Sequence, residues 1–356
     1  MRGANSIVSE RVVIALDAMG GDRAPDMVVA GAALARERMP HVQFLMFGDE
    51  ESLRPLLAKH PALSKVTTLR HTKERISADD KPSTAIKSGR NSSMRLALDA
   101  VRDGDACCVV SAGNTGALMA IAKFVLKMLP GIDRPAIAAF FPTLRGECCM
   151  LDLGANVQCD ANNLVQFAVM GEVFARTVLG IEQPTIGLLN IGVEDLKGNE
   201  EVREAAGILR QSDLPIAFKG FVEGDDIGAG TVDVVVTDGF TGNVALKTAE
   251  GTINFYTKTL RLAFASSWIS RLGYLLARGA INKLRSKMDP RRYNGAMLLG
   301  LNGIVVKSHG GTDDVGFANA IGVASDMVVH GFQDKIRDDF SRLKGTNEPD
   351  RSAAVL

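Results

Sequence analysis

Six segments of the chain share one pattern: a β-branched apolar run followed by a short loop of Gly, Asn, Asp, Ser or Thr. The apolar runs predict buried strands. In an open parallel α/β sheet, such loops lie at the carboxyl ends of the strands and converge on one crevice. A crevice poor in acids and rich in N–H and hydroxyl donors favours a phosphate-like anion. The six segments are VVIALDAMGGD, CCVVSAGNTG, CMLDLGAN, IGLLNIG, DVVVTDGFTGN and GIVVKSHGG.

Strand-like runs alternate with helix-like runs along most of the chain, which predicts an α/β fold. Two strand-like runs, 136–141 and 147–151, are joined by a short turn and predict a hairpin, so the sheet should be mixed rather than purely parallel. The prediction is a three-layer α/β/α fold with a mixed, mostly parallel sheet. Further predictions are one helix over about 82–101 and a long helical stretch over about 243–288.

The predicted domain organisation is a single α/β domain over residues 11–343, with a helical insertion at about 251–288. Residues 1–10 are polar and are expected to be frayed, and residues 344–356 are expected to form a loose tail.

Residues 251–288 contain no Asp or Glu but carry seven Lys and Arg residues, interleaved with apolar residues and the only Trp, Trp268. This basic amphipathic pattern is typical of a helix pair that lies on an anionic membrane. It also fits a helical hairpin whose apolar face packs on the core or on a second subunit. The pattern alone leaves both interpretations open.

Composition narrows the functional class. The formal net charge is zero, which argues against nucleic acid as the main partner. The five cysteines show no C-x-x-C spacing and their odd number argues against a disulfide framework. No leader segment and no membrane-spanning run are evident, so we expect a protein of the reducing cytoplasm.

The first group of candidate residues lies in the loops that follow the first two patterned segments. In DAMGGD the glycines permit close backbone approach to a ligand, and in SAGNTG a hydroxyl, an amide and helix N–H groups meet at one strand-to-helix turn. A simple turn with an N-cap is the alternative for the second loop. The candidates for phosphate or substrate binding are Asp17, Gly20, Gly21, Ser111, Gly113, Asn114, Thr115 and Gly116.

The second group lies in the later loops. Lys197 follows a strand in a glycine-containing loop, where a lysine can pair with phosphate or with an oxyanion. His309 is the one histidine placed directly after a strand end, which makes it the best candidate acid or base. Asn243 and Lys247 lie one helical turn apart and share a face. The remaining substrate-binding candidates are Asn156, Asp238 and Gly242.

Several catalytic signatures are absent from the sequence. It contains no G-x-S-x-G, no G-x-x-x-x-G-K-[ST] and no H-E-x-x-H, and no cysteine is placed as a nucleophile. A catalyst without a nucleophile of its own must activate a substrate that is the nucleophile. Inorganic phosphate is such a substrate.

The chain resembles the PlsX family, bacterial acyl-(acyl-carrier-protein):phosphate acyltransferases of phospholipid synthesis. The resemblance covers about residues 11–333 and rests on IALDAMGGDRAP, SAGNTGALMA, RPAIAAFFPT, LDLGANVQCD, IGLLNIGVEDLKGNE, DVVVTDGFTGNVALKTAEG and VVKSHGGTDDVGFANAI. It implies a fold like that of isopropylmalate dehydrogenase and phosphotransacetylase, and attack of phosphate on the thioester of acyl-carrier protein. It also implies a homodimer attached peripherally to the cytoplasmic membrane, with a glycerol-3-phosphate acyltransferase acting downstream.

Carried onto this chain, the resemblance implies that Ser111, Asn114 and Thr115 hold phosphate. Lys197 and Asn243 would neutralise phosphate and the thioester oxyanion, and His309 would orient phosphate or protonate the leaving thiolate. No metal and no cofactor are expected, because lysine and backbone donors can supply the positive field.

Three rival interpretations remain. A phosphotransacetylase-like enzyme that uses acyl-coenzyme A would share the fold and the reaction type. A dehydrogenase of the isopropylmalate type would need metal-binding aspartates, which the loops do not offer. A non-catalytic membrane scaffold would use residues 251–288 alone.

Overall fold

The computed structural model describes residues 12–212 and 216–338. The predicted frayed N-terminus and loose tail lie outside the described residues. In chain order, the elements are β1 (Val13–Asp17), α1 (Asp26–Arg38), β2 (Gln43–Gly48), α2 (Glu50–Ala58), α3 (Pro61–Ser64), β3 (Thr67–His71), α4 (Pro82–Ser88), α5 (Ser93–Arg102), β4 (Cys108–Ser111), α6 (Thr115–Leu126), β5 (Ala136–Pro142), β6 (Glu147–Leu151), α7 (Ala161–Val178), β7 (Thr185–Leu189), α8 (Glu200–Gln211), β8 (Ala217–Val222), α9 (Gly224–Ala229), β9 (Val234–Val236), α10 (Gly239–Ala265), α11 (Trp268–Lys287), β10 (Ala296–Leu299), β11 (Ile304–Lys307) and α12 (Asp314–Val329).

The described residues group into two compact units. The first unit comprises the chain up to Lys127 together with Gly303–His330, and the second comprises Met128–Asn302 with the residues from Gly331 onward. The single domain predicted over residues 11–343 stays a prediction.

The first unit contains a parallel array of strands in the order β3-β2-β1-β4-β11. Its central strands β1, β4 and β11 are apolar up to their last residue, as expected where both faces of a parallel sheet are covered. Ile14, Leu16, Val109, Val110 and Val306 are all buried. The strand and helix alternation predicted from the sequence is confirmed here.

The second unit contains strands in the order β10-β5-β6-β9-β7-β8. β5 pairs antiparallel with both β10 and β6, whereas β6, β9, β7 and β8 pair in parallel. The predicted hairpin of β5 and β6 is therefore confirmed, and so is the predicted fold class of a mixed, mostly parallel α/β sheet with surrounding helices.

Two boundaries differ from the sequence-based predictions. The helix predicted over about 82–101 is wrong as a single element: it is two helices, α4 and α5, separated at Gly89–Ser92. A Cβ at Gly89 would lie 2.4 Å from Ile76 Cδ1, and Ser92 caps α5 by accepting a hydrogen bond from the Arg95 N–H. Strand β10 was not predicted; its four residues, AMLL, contain no β-branched residue.

The stretch predicted as helical over about 243–288 consists of α10 and α11, which together form a helical hairpin. Ser267 caps α11, and Phe264 and Tyr274 pack edge to face across the hairpin with ring centroids 5.4 Å apart. No residue of α11 is buried; Trp268 is 75% exposed and Leu276 83% exposed. The apolar face of α11 thus does not pack on the core of its own unit.

Within residues 12–212 and 216–338, no single helix combines the length and the apolar composition of a membrane span. In the same ranges, one pair of helices, α12 and the following Phe332–Asp338, meets both criteria when taken together, with a bend of 53° between them.

Candidate functional site

Three of the six glycine-rich loops lie together in the first unit, at the carboxyl ends of the neighbouring strands β1, β4 and β11. The register pairs Leu16 with Val110, and Lys307 with Ser111. Hydrogen bonds tie the loops to one another: the Ser308 N–H donates to the Ser111 carbonyl over 2.9 Å. The Asp22 N–H donates to the Gly310 carbonyl, also over 2.9 Å. The predicted grouping of loops at strand ends is therefore observed within this unit.

Asp17 organises the first of these strand ends. Its carboxylate is 1% exposed and accepts hydrogen bonds from Ser93 Oγ at 2.6 Å and from Ser111 Oγ at 2.7 Å. Burial raises the pKa of Asp17, and the two serine hydroxyls oppose that rise. A Cβ at Gly20 would lie 2.4 Å from Asp17 Oδ2, so only glycine fits there. The buried Asp17 carboxylate thus restricts the conformation of the loop after β1.

The hydroxyl group of Ser111 is engaged within the protein. It donates a hydrogen bond to the Asp17 carboxylate, and its oxygen accepts the Gly113 N–H at 3.1 Å. The φ angle of Gly21, +110°, is one that side-chain-bearing residues rarely adopt. The role of Ser111 in holding phosphate stays a prediction, and the contacts present assign it to shaping the loop.

Asn114 caps helix α6 and also holds a second loop. Its Oδ1 accepts the Ala117 N–H at 3.0 Å. Its Nδ2 donates to the carbonyls of Ala78 at 2.8 Å and of Asp80 at 3.0 Å, so the amide donors are occupied by protein. Thr115 and Gly116 follow in the exposed first turn of α6. In this conformation, the donors that α6 offers an anion are first-turn N–H groups rather than the Asn114 amide.

His309 lies exposed in the turn after β11. The Gly311 N–H donates to His309 Nδ1 over 3.1 Å. Because Nδ1 accepts, the neutral ring carries its proton on Nε2. The imidazole is thereby oriented as an Nε2–H hydrogen-bond donor, which is compatible with the predicted orientation of phosphate, and its predicted role as acid or base stays a prediction.

Lys307 was missed by the sequence analysis as a site residue. It is only 8% exposed at the end of β11, and its Nζ donates to the Ser308 carbonyl. Burial lowers the pKa of Lys307 to about 8, and the nearby carboxylates of Asp17 and Asp22 oppose that change. The signal in the sequence was a lysine that directly continues an apolar strand, in GIVVKSHGG.

The other three loops lie in the second unit, at the ends of the neighbouring parallel strands β6, β9 and β7. The register pairs Leu151 with Val236, and Leu188 with Val236. The Gly239 N–H donates to the Asn156 carbonyl over 2.7 Å, which joins the loop after β6 to the start of α10. The pattern of three neighbouring strand ends therefore occurs in each unit.

Asp152 is the centre of this second group and was also missed. Its fully buried carboxylate accepts hydrogen bonds from the N–H groups of Ile137, Gly154, Ala155 and Asn156 and from the Asn156 amide, at 2.7–3.2 Å. Burial raises the pKa of Asp152, and the hydrogen bonds oppose that rise. Asn156, predicted to bind substrate, is thus held by Asp152 and by the Pro135 carbonyl at 2.7 Å.

The start of α10 carries four predicted residues. Asp238 is the N-cap, and its carboxylate accepts the Thr241 N–H and Oγ1–H. Asn243 is exposed at the fifth residue of the helix, with its Cβ 3.6 Å from where a Cβ of Gly154 would lie. Lys247, one turn further on, is exposed and forms an ion pair with Glu250 at 2.8 Å. Asn243 is therefore the side chain that this helix end presents for a ligand.

Gly242 is the tightest position of the site, and its replacement gives a clear test. A Cβ there would lie 1.9 Å from the Asp152 carbonyl oxygen, so Gly242→Ala must displace α10 from the loop after β6. We expect a loss of stability of about 3 kcal/mol or more, measured as a fall in the midpoint of urea unfolding. The matched control is Gly251→Ala in the same helix, where a Cβ meets nothing within 4 Å. Alanine there should leave stability unchanged or raise it. Equal effects of the two substitutions would contradict the packing described here.

Lys197 lies in the loop between β7 and α8. Asn190 holds this loop, because its Nδ2 donates to the carbonyls of Gly192 and Lys197, both at 3.1 Å. Gly198 has a φ of +88°, and a Cβ there would lie 2.1 Å from Asn190 Oδ1. The Lys197 side chain is exposed and makes no ion pair with any residue the structure describes. The backbone is thus fixed and the ammonium is presented to solvent.

The part of the chain that the structure describes contains no group of three or more His, Cys, Asp or Glu side chains arranged to hold a metal ion. Each unit instead offers N–H groups, a lysine and a hydroxyl or amide at its strand ends. Such donors can bind an oxyanion and stabilise negative charge that develops on a carbonyl oxygen.

Comparison with known proteins places the chain in a sequence family. The family model described as fatty acid synthesis protein matches residues 12–335. A phosphate acyltransferase from Rhodospirillum centenum is 69% identical over 341 residues, which is 96% of this chain and 96% of that protein. A phosphate acyltransferase from Paramagnetospirillum magneticum is 64% identical over 337 residues, covering 95% of this chain and 96% of that protein.

Solved structures share the fold at low sequence identity. A phosphotransacetylase from Streptococcus pyogenes has a TM-score of 0.63 and 18% identity, covering 91% of this chain and 95% of that one. A phosphotransacetylase from Staphylococcus aureus has a TM-score of 0.58 and 18% identity, covering 90% of this chain and 96% of that one. At this identity the likeness establishes the fold.

Proposed function

Because the chain belongs to the PlsX family of phosphate acyltransferases, we propose that it moves a long-chain acyl group from acyl-carrier protein to inorganic phosphate. A phosphate oxygen attacks the thioester carbonyl carbon, a C–O bond forms, and the C–S bond breaks. The carrier leaves as a thiol, taking the proton that hydrogen phosphate brought. The product is an acyl phosphate, the form of acyl group suited to phosphatidic acid synthesis.

Two donor-lined groups of strand ends support this proposal. In the first unit, phosphate is bound by N–H groups of the first turn of α6, with Thr115 at the helix start, and by N–H groups of the loops after β1 and β4 other than those of Asp22 and Gly113. Asp17 and Ser111 fix the shape of that surface. The Nε2–H of His309 donates a hydrogen bond that orients phosphate or stabilises the leaving thiolate, which takes its proton from hydrogen phosphate.

In the second unit, Lys197 and Asn243 neutralise phosphate and the oxyanion that forms on the thioester carbonyl. Both side chains are exposed on backbones that other residues hold in place: a hydrogen bond from Asn190 for Lys197, and close packing of Gly242 on the Asp152 carbonyl for Asn243. Each such donor is worth about 3 kcal/mol of barrier, as for single donors of known oxyanion holes.

The alternative acyl donor is acyl-coenzyme A, favoured by the fold shared with phosphotransacetylases. The discriminating experiment supplies the purified protein with phosphate and either palmitoyl-carrier protein or palmitoyl-coenzyme A. Hydroxylamine traps the acyl phosphate as a hydroxamate. We expect a higher kcat/KM with the carrier protein; a higher value with coenzyme A would favour the alternative.

The helical hairpin of α10 and α11 is proposed to bind an anionic membrane surface. Residues 251–288 bear seven basic and no acidic residues, and large apolar side chains lie exposed among them. Exposed apolar and basic side chains on one helix pair match a surface of anionic headgroups over acyl chains. Delivery of a lipophilic acyl phosphate at that surface is compatible with the proposed reaction. The protein is also proposed to be a homodimer. The alternative role of the hairpin is to form the interface between the two subunits.

The membrane proposal predicts that Leu276→Glu weakens binding to phosphatidylglycerol-containing vesicles by about tenfold or more, because burial of one leucine contributes about 2 kcal/mol. Vesicle co-sedimentation is the measurement. The matched control is Leu144→Glu, since Leu144 is 82% exposed outside the hairpin. If L276E binds vesicles normally but dissociates a dimer in sedimentation velocity, the hairpin is a subunit interface and the membrane proposal is wrong.

A further inference from the structure

Lys307 is a buried lysine that the proposed reaction has not yet used. It ends β11, and its neighbour in the register on β4 is Ser111, which itself bonds to Asp17 on β1. Three polar side chains therefore end three adjacent parallel strands, under the loops that are proposed to bind phosphate. The side chain of Lys307 is only 8% exposed.

The surroundings leave the charge of Lys307 incompletely matched. A lysine ammonium has three donors, and the contact described for it is with the Ser308 carbonyl. Asp17 and Asp22 are the charged groups that face it, from β1 and from the loop after β1. Neither forms an ion pair with Lys307 among the described residues, and the Asp17 carboxylate is already engaged by Ser93 and Ser111. A buried ammonium without a close counter-charge reduces the stability of the free protein.

We propose that Lys307 is a phosphate-positioning residue whose buried ammonium supplies the counter-charge for a tetrahedral oxyanion resting on the loops after β1, β4 and β11. This inference rests on the proposed function, since it assigns the residue to inorganic phosphate. The anion completes the charge pairing that the free protein lacks. Lys307 also holds the Ser308 carbonyl, so it fixes the start of the turn that carries His309.

The proposal makes phosphate binding depend on pH. With the pKa of Lys307 at about 8, the free protein loses the ammonium charge as the pH rises above that value. Phosphate favours the charged form, so phosphate affinity should fall by up to about tenfold per pH unit above about pH 8. A variant in which Lys307 is replaced by a neutral residue should not show this fall in phosphate affinity.

The test compares Lys307→Met with the wild type and with Lys59→Met, an exposed lysine of the same unit. Isothermal titration with inorganic phosphate, at several pH values, measures binding without any acyl donor. Thermal unfolding without phosphate measures stability, and steady-state rates give KM for phosphate and for the acyl donor. Lys307→Gln serves if the methionine variant does not fold, because its amide can still donate to the Ser308 carbonyl.

We expect the neutral variant to bind phosphate about 30-fold or more weakly, with no fall above pH 8. KM for the acyl donor should be unchanged, and stability without phosphate should be equal or higher, since an unmatched buried charge is removed. A variant that is less stable but binds phosphate normally would overturn the proposal and assign Lys307 a structural role. Weaker phosphate binding by the variant would support the phosphate-positioning role of Lys307 even if the wild-type protein formed no acyl phosphate. This role and the proposed acyl transfer can therefore fail independently.

Discussion

Lys197→Ala is expected to lower kcat for acyl phosphate formation by about a hundredfold or more while the protein stays folded. The ammonium is exposed and makes no ion pair with a described residue, so its removal should cost little stability. The ammonium is proposed to stabilise an oxyanion that forms only during the reaction. Its removal should therefore lower kcat. Trapped hydroxamate per enzyme per unit time is the measurement.

The controls for this prediction come from the same unit. Lys219→Ala removes another exposed lysine and should leave kcat unchanged. Asn243→Ala should give a loss similar to that of Lys197→Ala, and the double variant should lose less than the product of the two if both donors contact one oxyanion. Full activity in the folded Lys197→Ala and Asn243→Ala variants would remove both residues from the mechanism.

Asp152→Ala is expected to cost about 3–5 kcal/mol of stability, the largest structural effect we anticipate from a single side chain. The substitution removes the buried acceptor of five donor groups, and four of these donors are backbone N–H groups that cannot turn away. The loop that they fix also positions Asn156 and the start of α10. Urea unfolding followed by circular dichroism gives the free energy.

Asp238→Ala is the matched comparison, because among the described residues this N-cap carboxylate accepts hydrogen bonds from Thr241 alone. Its expected cost is about 1 kcal/mol. If Asp152→Ala and Asp238→Ala lower the free energy of unfolding by the same small amount, then Asp152 does not hold the loops of the second unit together.

The strands and the loops after them could be predicted because local sequence determines them. A β-branched run such as Val109–Val110 has few alternatives to a buried strand, and glycine with Asn or Asp ends it. The hairpin of β5 and β6 followed from the short turn between two such runs. The same local logic predicted amphipathic helices at residues 251–288, whereas the exposure of their apolar side chains is known only from the structure.

What could not be predicted depends on residues distant in sequence. At the break between α4 and α5, a Cβ at Gly89 would meet Ile76, which lies outside both helices, and helix propensity carries no information on that contact. Asp152 and Lys307 read as ordinary polar residues beside apolar strands, and only the assembled sheet shows that each is buried. Asn114 was predicted to hold phosphate from its place at a helix start. The loop at Ala78–Asp80, which occupies its amide, returns to it from more than thirty residues away.

The most direct test of the central claim, acyl transfer to phosphate, follows the release of the carrier thiol from palmitoyl-carrier protein with and without labelled phosphate. The claim predicts that thiol release requires phosphate and that each thiol released is matched by one labelled phosphate in a hydroxylamine-sensitive palmitoyl product. Thiol release in the absence of phosphate, with free palmitate as the product, would contradict it.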